Sequence, residues 1–250
     1  DVRLENIEAG QGGAFTGSGK GGLAGSSVSG VPLSDVASAR TPIAIGAPGT
    51  IDPVSQGRVY VIDPALISAS DTSKALNAAD FLEIKIGDTS RSDLFGSEVY
   101  LSKQSGSKYD LVVTSQENIY LIRDVFSKGN KGSVNLSQFS DVTTFSNGDD
   151  TGFDGGVAYF DFDGDGHKDM IAGSPLGNEL IDSNDQLVGT GGFVSVIRGN
   201  ASGFAKSSYN VANLGVDGFR FMGQSIFAPA AAEPDVDPNT GAVTDPLRSG

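Results

Sequence analysis

The sequence has no cysteine and no tryptophan, and it contains a single histidine, His167. Without cysteine the chain can build neither a disulfide framework nor a thiolate metal site, and it has no thiol nucleophile. A Ser-His-Asp relay needs a histidine that exchanges protons with a serine, whereas His167 lies within a run of acidic residues. The usual cysteine and histidine mechanisms are therefore excluded, and we expect the chain not to be an enzyme.

Basic residues are scarce as well, because 17 lysines and arginines stand against 31 aspartates and glutamates, for a formal net charge of -14. This charge repels a phosphate backbone and suits cation binding, so we expect no nucleic-acid partner. No apolar run reaches the roughly 18 residues that a membrane helix needs. The first residues also have no basic and then apolar signal segment. We expect no transmembrane segment and interpret the chain as a mature or excised piece.

The sequence is rich in glycine and in short runs of apolar residues. The chain has 35 glycines in 250 residues, and hydrophobic residues make up 38% of it. An all-β protein of this length often forms one domain with a sufficient core. The glycine-rich stretch at 10–22 contains Gly19 and Lys20, but Ala14 and Gly21 break the spacing of a phosphate-binding loop. A flexible connection is the prediction there.

Four aspartates lie close together in residues 161–169, where they occupy positions 1, 3, 5 and 9 of one short loop. Calcium takes oxygen ligands, and alternate residues of such a loop turn their side chains inward. The predicted ligands are four carboxylates and the backbone carbonyl at position 7, namely Asp161, Asp163, Asp165, His167 and Asp169. Gly164 and Gly166 allow the sharp turn. An EF-hand is excluded, because position 12 is Ala172 and not a glutamate.

Short apolar runs bounded by glycine flank this loop at 156–160 and 170–173, and such runs are typical of buried strands. The pattern therefore predicts a calcium site in a loop between two strands. The alternative is an Asp- and Gly-rich surface turn that holds no metal. Ordinary turns need only one or two such residues, however, and here four carboxylates stand in register.

A pattern of apolar strands and glycine-rich turns recurs with a period of roughly 60 to 70 residues. Each copy has a short strand, a polar loop, a fully apolar strand and an alternating strand, and residues 80–86 alternate as a fourth strand would. We place the copies at approximately 23–86, 93–145 and 151–212, with an incomplete one at 219–250. Several short strands in each copy predict an all-β fold, arranged by radial repetition as a β-propeller. A β-sandwich is the alternative, but it does not explain the recurring Gly-Ala-Pro turn.

Three motifs in this order, Phe-Gly, Asp-x-Asp-x-Asp-Gly-x-x-Asp and Gly-Ala-Pro, resemble the FG-GAP repeats of the integrin α-subunit β-propeller and its bacterial relatives. Examples stand at 95–96, 161–169 and 46–48, and the resemblance covers residues 23–227. It implies four-stranded blades, with calcium in the hairpin loop between the first two strands of a blade. The five ligand residues given above match the family's ligand positions.

The other copies depart from the family's ligand pattern. The first offers only Asp35, and the second keeps Asp110 alone beside Lys103 and Lys108, whose charges oppose a cation. We therefore expect both loops to hold no metal. About three and a half blades cannot close a seven-bladed ring of the integrin type. Residues 1–250 are accordingly interpreted as one partial propeller domain of a longer polypeptide.

The resemblance implies a non-catalytic, calcium-binding module outside the cell, used for adhesion or for assembly of a surface structure. Millimolar calcium outside cells favours that location. The alternatives are an accessory propeller of a secreted hydrolase and a metal-stabilised structural scaffold. The expected partner is a protein or another segment of the same propeller, with a surface glycan or matrix ligand as a further candidate. Polar insertions that could carry recognition lie at 127–150, 177–191 and 228–250.

One acidic pair remains as a candidate for acid–base catalysis. Asp149 and Asp150 are adjacent carboxyl groups, and such pairs can serve as acid and base. They follow Asn147 and Gly148, however, and this composition indicates a turn. The pair does not change the expectation of a non-catalytic chain.

Overall fold

The structure is a computed structural model in which the described residues fall in several ranges, namely 14–17, 22–31, 41–49, 57–68, 71, 73–87, 94–147, 153, 156–174, 179–181, 187–190, 192–223, 235–236 and 243–244. Within these ranges the chain is all-β, with several antiparallel sheets and no α-helix, which confirms the all-β part of the predicted fold. The propeller arrangement stays a prediction. Short 3-10 helices occur at Pro64–Leu66, Val125–Lys128, Leu136–Gln138 and Gly215–Asp217. None of the helices in this part of the chain is long and apolar enough to cross a membrane.

The strands are numbered in chain order. The first part of the chain contains β1 (Ala14–Gly17), β2 (Ser27–Gly30), β3 (Ile43–Ala47), β4 (Arg58–Ile62), β5 (Ser73–Leu76) and β6 (Leu82–Lys85). The middle part contains β7 (Val99–Lys103), β8 (Tyr109–Thr114), β9 (Asn118–Ile122), β10 (Gly132–Asn135) and β11 (Val142–Ser146). The last part contains β12 (Val157–Phe160), β13 (Asp169–Ser174), β14 (Glu179–Ile181), β15 (Leu187–Thr190), β16 (Phe193–Ile197), β17 (Ser208–Asn210), β18 (Gly218–Met222), β19 (Asp235–Val236) and β20 (Val243–Thr244).

Three sheets share one antiparallel strand order. The first sheet contains β2-β3-β4-β6, the second β7-β8-β9-β11 and the third β12-β13-β16-β18. In each sheet the four strands pair in the order in which they occur in the chain, forming a meander. One further strand, β5, β10 or β17, stands between the third and the fourth strand in the chain but does not pair within that meander. The pairing register of the third and fourth strands places Val59 opposite Ile84, Ile119 opposite Phe145, and Val194 opposite Phe221.

Some of the strands left out of the meanders join neighbouring sheets. β10 precedes β11 in the chain, yet it pairs in parallel with β6 of the first sheet, and β17 pairs in parallel with β11 of the second. β5 pairs in the same parallel way with β1. Separate antiparallel hairpins are formed by β14 with β15 and by β19 with β20. The strand that lies between the third and fourth strands of one meander in the chain is thus hydrogen-bonded to the fourth strand of the preceding meander, in the case of β10 and of β17.

Apolar side chains between the sheets form the core. In β4, Val59 and Val61 contribute to a cluster with the second sheet, whereas Tyr60 and Ile62 contribute to a cluster on the opposite face. This alternation follows from the two-residue period of a strand. A further cluster joins the second and third sheets. The first two sheets are apolar on both faces, which explains why their central strands read as continuous apolar runs.

The segments before β2 and β7 have the same unusual backbone. Leu23 and Gly25 have φ angles of 50° and 93°, and Leu94 and Gly96 have φ angles of 49° and 94°. In both, the hydroxyl of the following serine donates to the leucine carbonyl at 2.7 Å. We call residues 23–25 and 94–96 the first and second lead-in segments. The left-handed leucines are held by this local hydrogen bond in a conformation that L residues seldom adopt.

Glycine is required where the second lead-in segment crosses the first sheet. A Cβ on Gly46 would stand 2.1 Å from the carbonyl oxygen of Gly96, and a Cβ on Gly57 would stand 2.1 Å from that of Phe95. Both contacts are with main-chain atoms, and the Phe95 side chain is fully buried. The glycine of the Gly-Ala-Pro turn is therefore explained by close backbone approach between two sheets.

Some positions singled out in the sequence lie in defined strands, and others lie outside the described residues. The alternating residues 80–86 contain β6, as expected for a fourth strand. Phe219 and Phe221, which open the incomplete copy predicted at 219–250, lie in β18 and pair with the third sheet. Asp35, the Asp149 and Asp150 pair, and Gly19 with Lys20 lie outside the described residues.

The substitution Gly46→Val tests the backbone contact. Its Cβ would meet the Gly96 carbonyl at 2.1 Å, so the second lead-in segment must move away from the first sheet. We expect the free energy of unfolding to fall by about 2 kcal/mol or more, as for other overpacked sites. Urea unfolding followed by circular dichroism measures the change.

The matched control is Gly30→Ala, because a Cβ there would lie 3.7 Å from Ile43 Cγ2, in ordinary contact. It should change stability by less than about 1 kcal/mol. Equal losses in the two variants would show that the crossing point is no tighter than the rest of the sheet.

Candidate metal centre

The acidic loop connects β12 to β13, and the pairing of Phe160 with Asp169 closes its base. The loop is ordered by its own carboxylates. Asp161 accepts hydrogen bonds from the backbone N–H groups of Gly164 at 2.8 Å and Gly166 at 2.9 Å. Both glycines have positive φ, 81° and 86°, which permits the chain to curl around the Asp161 side chain.

Three of the predicted ligands come together in this loop. One carboxylate oxygen from each of Asp161, Asp163 and Asp169 lies within 4.8 Å of the others. Asp165 is not part of that group, and its Oδ1 accepts the N–H of His167 at 2.7 Å. These three residues could hold a metal ion, and their hard carboxylate oxygens are of the kind that calcium takes as ligands.

Asp169 has a structural role besides that of a predicted ligand. It is 0% exposed, its Oδ2 accepts the N–H of Phe162 at 2.9 Å, and its Oδ1 accepts the N–H of Gly199 at 2.8 Å. These bonds tie the start of the loop to the chain leaving β16. A buried carboxylate needs such partners, because an unsatisfied one would be costly.

A positive charge already lies beside the group. Arg198 Nε stands 3.6 Å from Asp163 Oδ2, with the arginine side chain 50% exposed. The pair is too exposed to contribute much stability, since such surface pairs are worth about 0 to 1 kcal/mol. It leaves most of the charge of the three clustered carboxylates to be balanced in another way.

The second sheet has a corresponding loop between β7 and β8. Asp110 pairs with Ser102 at its base as Asp169 pairs with Phe160, and Asp110 Oδ1 accepts the N–H of Asp124 at 3.3 Å. Lys103 follows Ser102 where Asp161 follows Phe160. The first ligand position is thus basic, and the absence of a metal from this loop stays a prediction.

Lys168 directly precedes β13 of the third sheet, and its ammonium group contacts the loop between β7 and β8 of the second sheet. Its Nζ donates to the hydroxyl of Ser102 and to the carbonyl of Lys103, the latter at 2.8 Å. The same ammonium lies 5.7 Å from the centre of the Tyr159 ring. Sequence reasoning missed this residue, although its place directly before Asp169 fixes it beside the preceding sheet.

Asp110 and Tyr159 form a buried pair next to this ammonium. Tyr159 Oη lies 3.4 Å from Asp110 Oδ2. Burial raises the pKa of the Asp110 carboxyl above its ordinary value of 3.8, although Arg123 and the hydrogen bonds from Gln104 and Asp124 oppose the shift. Burial and the neighbouring carboxylate also raise the pKa of Tyr159, so this phenol stays protonated at neutral pH.

No protein-family model matches this chain, and no curated protein sequence matches it significantly.

The substitution Lys168→Met tests the bridging ammonium. It removes the donor that Ser102 and the Lys103 carbonyl share, and it removes the positive charge near Asp110. We expect the free energy of unfolding to fall by about 1 to 3 kcal/mol, as for hydrogen bonds to charged groups. Urea unfolding measures the loss, and Lys128→Met is the control because Lys128 is exposed on a 3-10 helix. Equal effects of the two substitutions would contradict a bridging role.

The substitution Asp110→Asn tests the buried carboxyl by its pH dependence. The folded state holds the Asp110 proton more tightly than the unfolded chain, because its pKa is raised from 3.8. Its contribution to stability is then complete below the unfolded pKa and is lost as pH rises through the folded pKa. The variant keeps an acceptor oxygen but does not titrate, so its stability relative to the wild type should increase between about pH 4 and pH 7. Parallel pH profiles from urea unfolding would contradict the raised pKa.

Proposed function

We propose that this chain is part of an extracellular β-propeller of FG-GAP repeats, stabilised by calcium, that acts as a non-catalytic module for adhesion or surface assembly. The observation that carries the proposal is the convergence of Asp161, Asp163 and Asp169 in a hairpin loop between the first two strands of a sheet. This is the place that the resemblance to FG-GAP repeats assigns to calcium.

The arrangement of the sheets supports the propeller. Three sheets follow one another with the same strand order, and buried apolar clusters lie between consecutive sheets. Phe95 and Phe153, which precede the second and third sheets, are 0% and 5% exposed. Repetition of one multistrand unit, each packed on the next, is the principle of radial folds.

Calcium in the loop would stabilise the β12–β13 hairpin locally. Asp161, Asp163 and Asp169 would hold it, and the ion would balance carboxylates that otherwise repel one another. Because Asp169 also binds the N–H of Gly199, the ion would fix the β12–β13 hairpin to the end of β16. Concentrations of calcium outside cells are sufficient to fill sites of this kind.

Recognition is assigned to loops at the sheet edges. A scaffold fixed by packing and by an ion presents loops in a constant arrangement, and loops are where binding residues concentrate. The net charge of -14 favours protein or cation partners over nucleic acid. The proposed partner is a protein, or another segment of the same propeller.

Calcium dependence of the melting temperature tests this proposal. We expect the Tm of the wild-type chain to rise when EDTA is replaced by millimolar calcium, because a ligand bound only by the folded state stabilises it. The gain is about 2.7 kcal/mol when calcium is 100 times its Kd. The substitution Asp163→Ala should abolish most of the increase, because it removes one of the three converging carboxylates.

The control is Asp141→Ala, whose side chain is 65% exposed and lies outside the loop. It should retain the full increase in Tm. An unchanged wild-type Tm in calcium and in EDTA would refute the calcium site, and an equal loss of the response in both variants would show that the effect is not local.

A further inference from the structure

A pocket lies between the first and second sheets, at the end where β4 ends and β8 begins. It has a volume of about 430 Å³, and sites for small ligands commonly measure about 300 to 1,000 Å³. Both sheets contribute to its wall: Asp63 and Pro64 directly follow β4, Tyr109 is the first residue of β8, and Phe126 and Asn130 follow β9. The pocket is therefore built from segments that two packed sheets hold in place.

Two aromatic rings and a proline form the apolar part of this wall. The ring centroids of Tyr109 and Phe126 lie 6.3 Å apart, and the ring planes stand at 88° to each other. Both side chains are half-buried and pack against the core between the two sheets, which fixes their positions. Pro64 begins a 3-10 helix and is rigid in its backbone. Together they offer fixed apolar surface to the C–H groups of a ligand.

An aspartate and an asparagine form a linked pair on the polar part of the wall. Asn130 Nδ2 donates to Asp63 Oδ2 at 3.1 Å, and the N–H of Ala65 donates to Asp63 Oδ1 at 2.9 Å. These bonds orient the Asp63 carboxylate, which forms no ion pair within the described part of the chain. A carboxylate has about four acceptor sites, so Asp63 can still accept hydrogen bonds from a ligand.

Two hydroxyl groups add donors to the pocket. Ser107 is exposed at its wall, and the phenol of Tyr109 belongs to the aromatic part. Neither hydroxyl makes a hydrogen bond to any of the residues that the structure describes. A hydroxyl donates and accepts, and so does the amide of Asn130. The pocket thus combines apolar surface with groups that can both donate to and accept from a ligand.

At the corresponding place between the second and third sheets, a longer side chain crosses from one sheet to the next. Arg123 is the first residue after β9, as Asp63 is the first residue after β4. The Arg123 guanidinium donates to the carbonyl of Ser202, and a Cβ on Gly203 would collide with Arg123 Nη1. The open pocket is therefore not a necessary result of how consecutive sheets pack, and it depends on the shorter Asp63.

We propose that this pocket binds a neutral sugar unit of a surface glycan. A sugar ring has apolar C–H faces and a rim of hydroxyl groups that donate and accept, which matches a wall of aromatic and mixed polar groups. The inference adds a ligand class to the proposed module and does not rest on calcium binding. None of the residues that line the pocket belongs to the acidic loop.

Charge disfavours the two charged alternatives. Aromatic rings with a carboxylate would also accept an organic ammonium ion. However, Lys108, Lys128 and Lys131 are exposed and each directly follows or precedes a residue of the wall, so their charges oppose a cation. An acidic sugar would meet the carboxylate of Asp63, and none of the described residues that line the pocket is basic.

Saturation-transfer difference NMR tests the proposal. The full chain in millimolar calcium is mixed with the methyl glycosides of glucose, galactose, mannose, fucose, xylose and N-acetylglucosamine. We expect at least one of these sugars to receive saturation, most strongly at its ring C–H protons, because those protons would contact Tyr109 and Phe126. The absence of transfer to every sugar of this panel would overturn the proposal.

The substitution Tyr109→Phe tests whether binding occurs in this pocket. It removes only a hydroxyl without a partner among the described residues, so Tm and circular dichroism should stay unchanged. We expect the Kd for the bound sugar to rise about fivefold, as for the loss of one hydrogen bond. The matched control is Tyr100→Phe, because Tyr100 lies in β7 and does not line the pocket, and its Kd should equal that of the wild type. Equal Kd values in the two variants would place the sugar elsewhere and overturn the proposal.

Substitutions of Asp63 separate the ligand classes. Asp63→Arg introduces the residue type found at the corresponding position 123, and filling the pocket should weaken binding at least about tenfold. Asp63→Asn keeps an acceptor for the N–H of Ala65, and it should weaken a neutral sugar about threefold, because charged acceptors bind more strongly.

Two results with charged probes would overturn the assignment to a neutral sugar. Binding of tetramethylammonium that Asp63→Asn abolishes would show a site for an organic cation. Binding of methyl glucuronide that Asp63→Asn strengthens would show a site for an acidic sugar. The pocket and the acidic loop share no residue, so sugar binding and the response of Tm to calcium can fail independently.

Discussion

The close approach of main chains between consecutive sheets is the constraint on which the rest of the structure depends. Gly46 and Gly57 leave room for the carbonyls of Gly96 and Phe95, which brings the second sheet near enough for the apolar clusters to close. Larger residues there would separate the sheets, and dispersion contacts fall away quickly with distance. Two small residues thus decide whether many buried side chains can meet.

Buried carboxylates form a second level of organisation. Asp110 and Asp169 hold corresponding places, are 1% and 0% exposed, and each binds the N–H of a residue just after the third strand of its sheet. The need to satisfy these main-chain groups is common to both loops. The neighbouring cation differs, because Lys168 reaches toward the second loop and calcium is proposed for the third. The aspartate at this position is therefore first a structural residue, and its proposed use as a ligand in the third sheet is an addition.

Local patterns in the sequence predicted the all-β class and the fourth strand at 80–86, because strand periodicity and glycine-bounded runs are short-range signals. The convergence of Asp161, Asp163 and Asp169 was predictable for the same reason, since their spacing is set within one loop. Contacts between segments that are distant in the chain were not predictable from the sequence. The reach of Lys168 to the second loop depends on how two sheets pack, which no periodicity encodes.

The parallel pairs between sheets have a consequence for the order of synthesis. Leu82 of the first sheet pairs with Gly132, and Thr144 of the second pairs with Ser208. A nascent chain can form each meander early, but its edge strand stays unpaired until a much later stretch has left the ribosome. An unpaired edge is open to pairing with other chains in the meantime. The edges of the first and second sheets are then exposed for the time that translation needs to produce β10 and β17, so the rate of translation bears on yield.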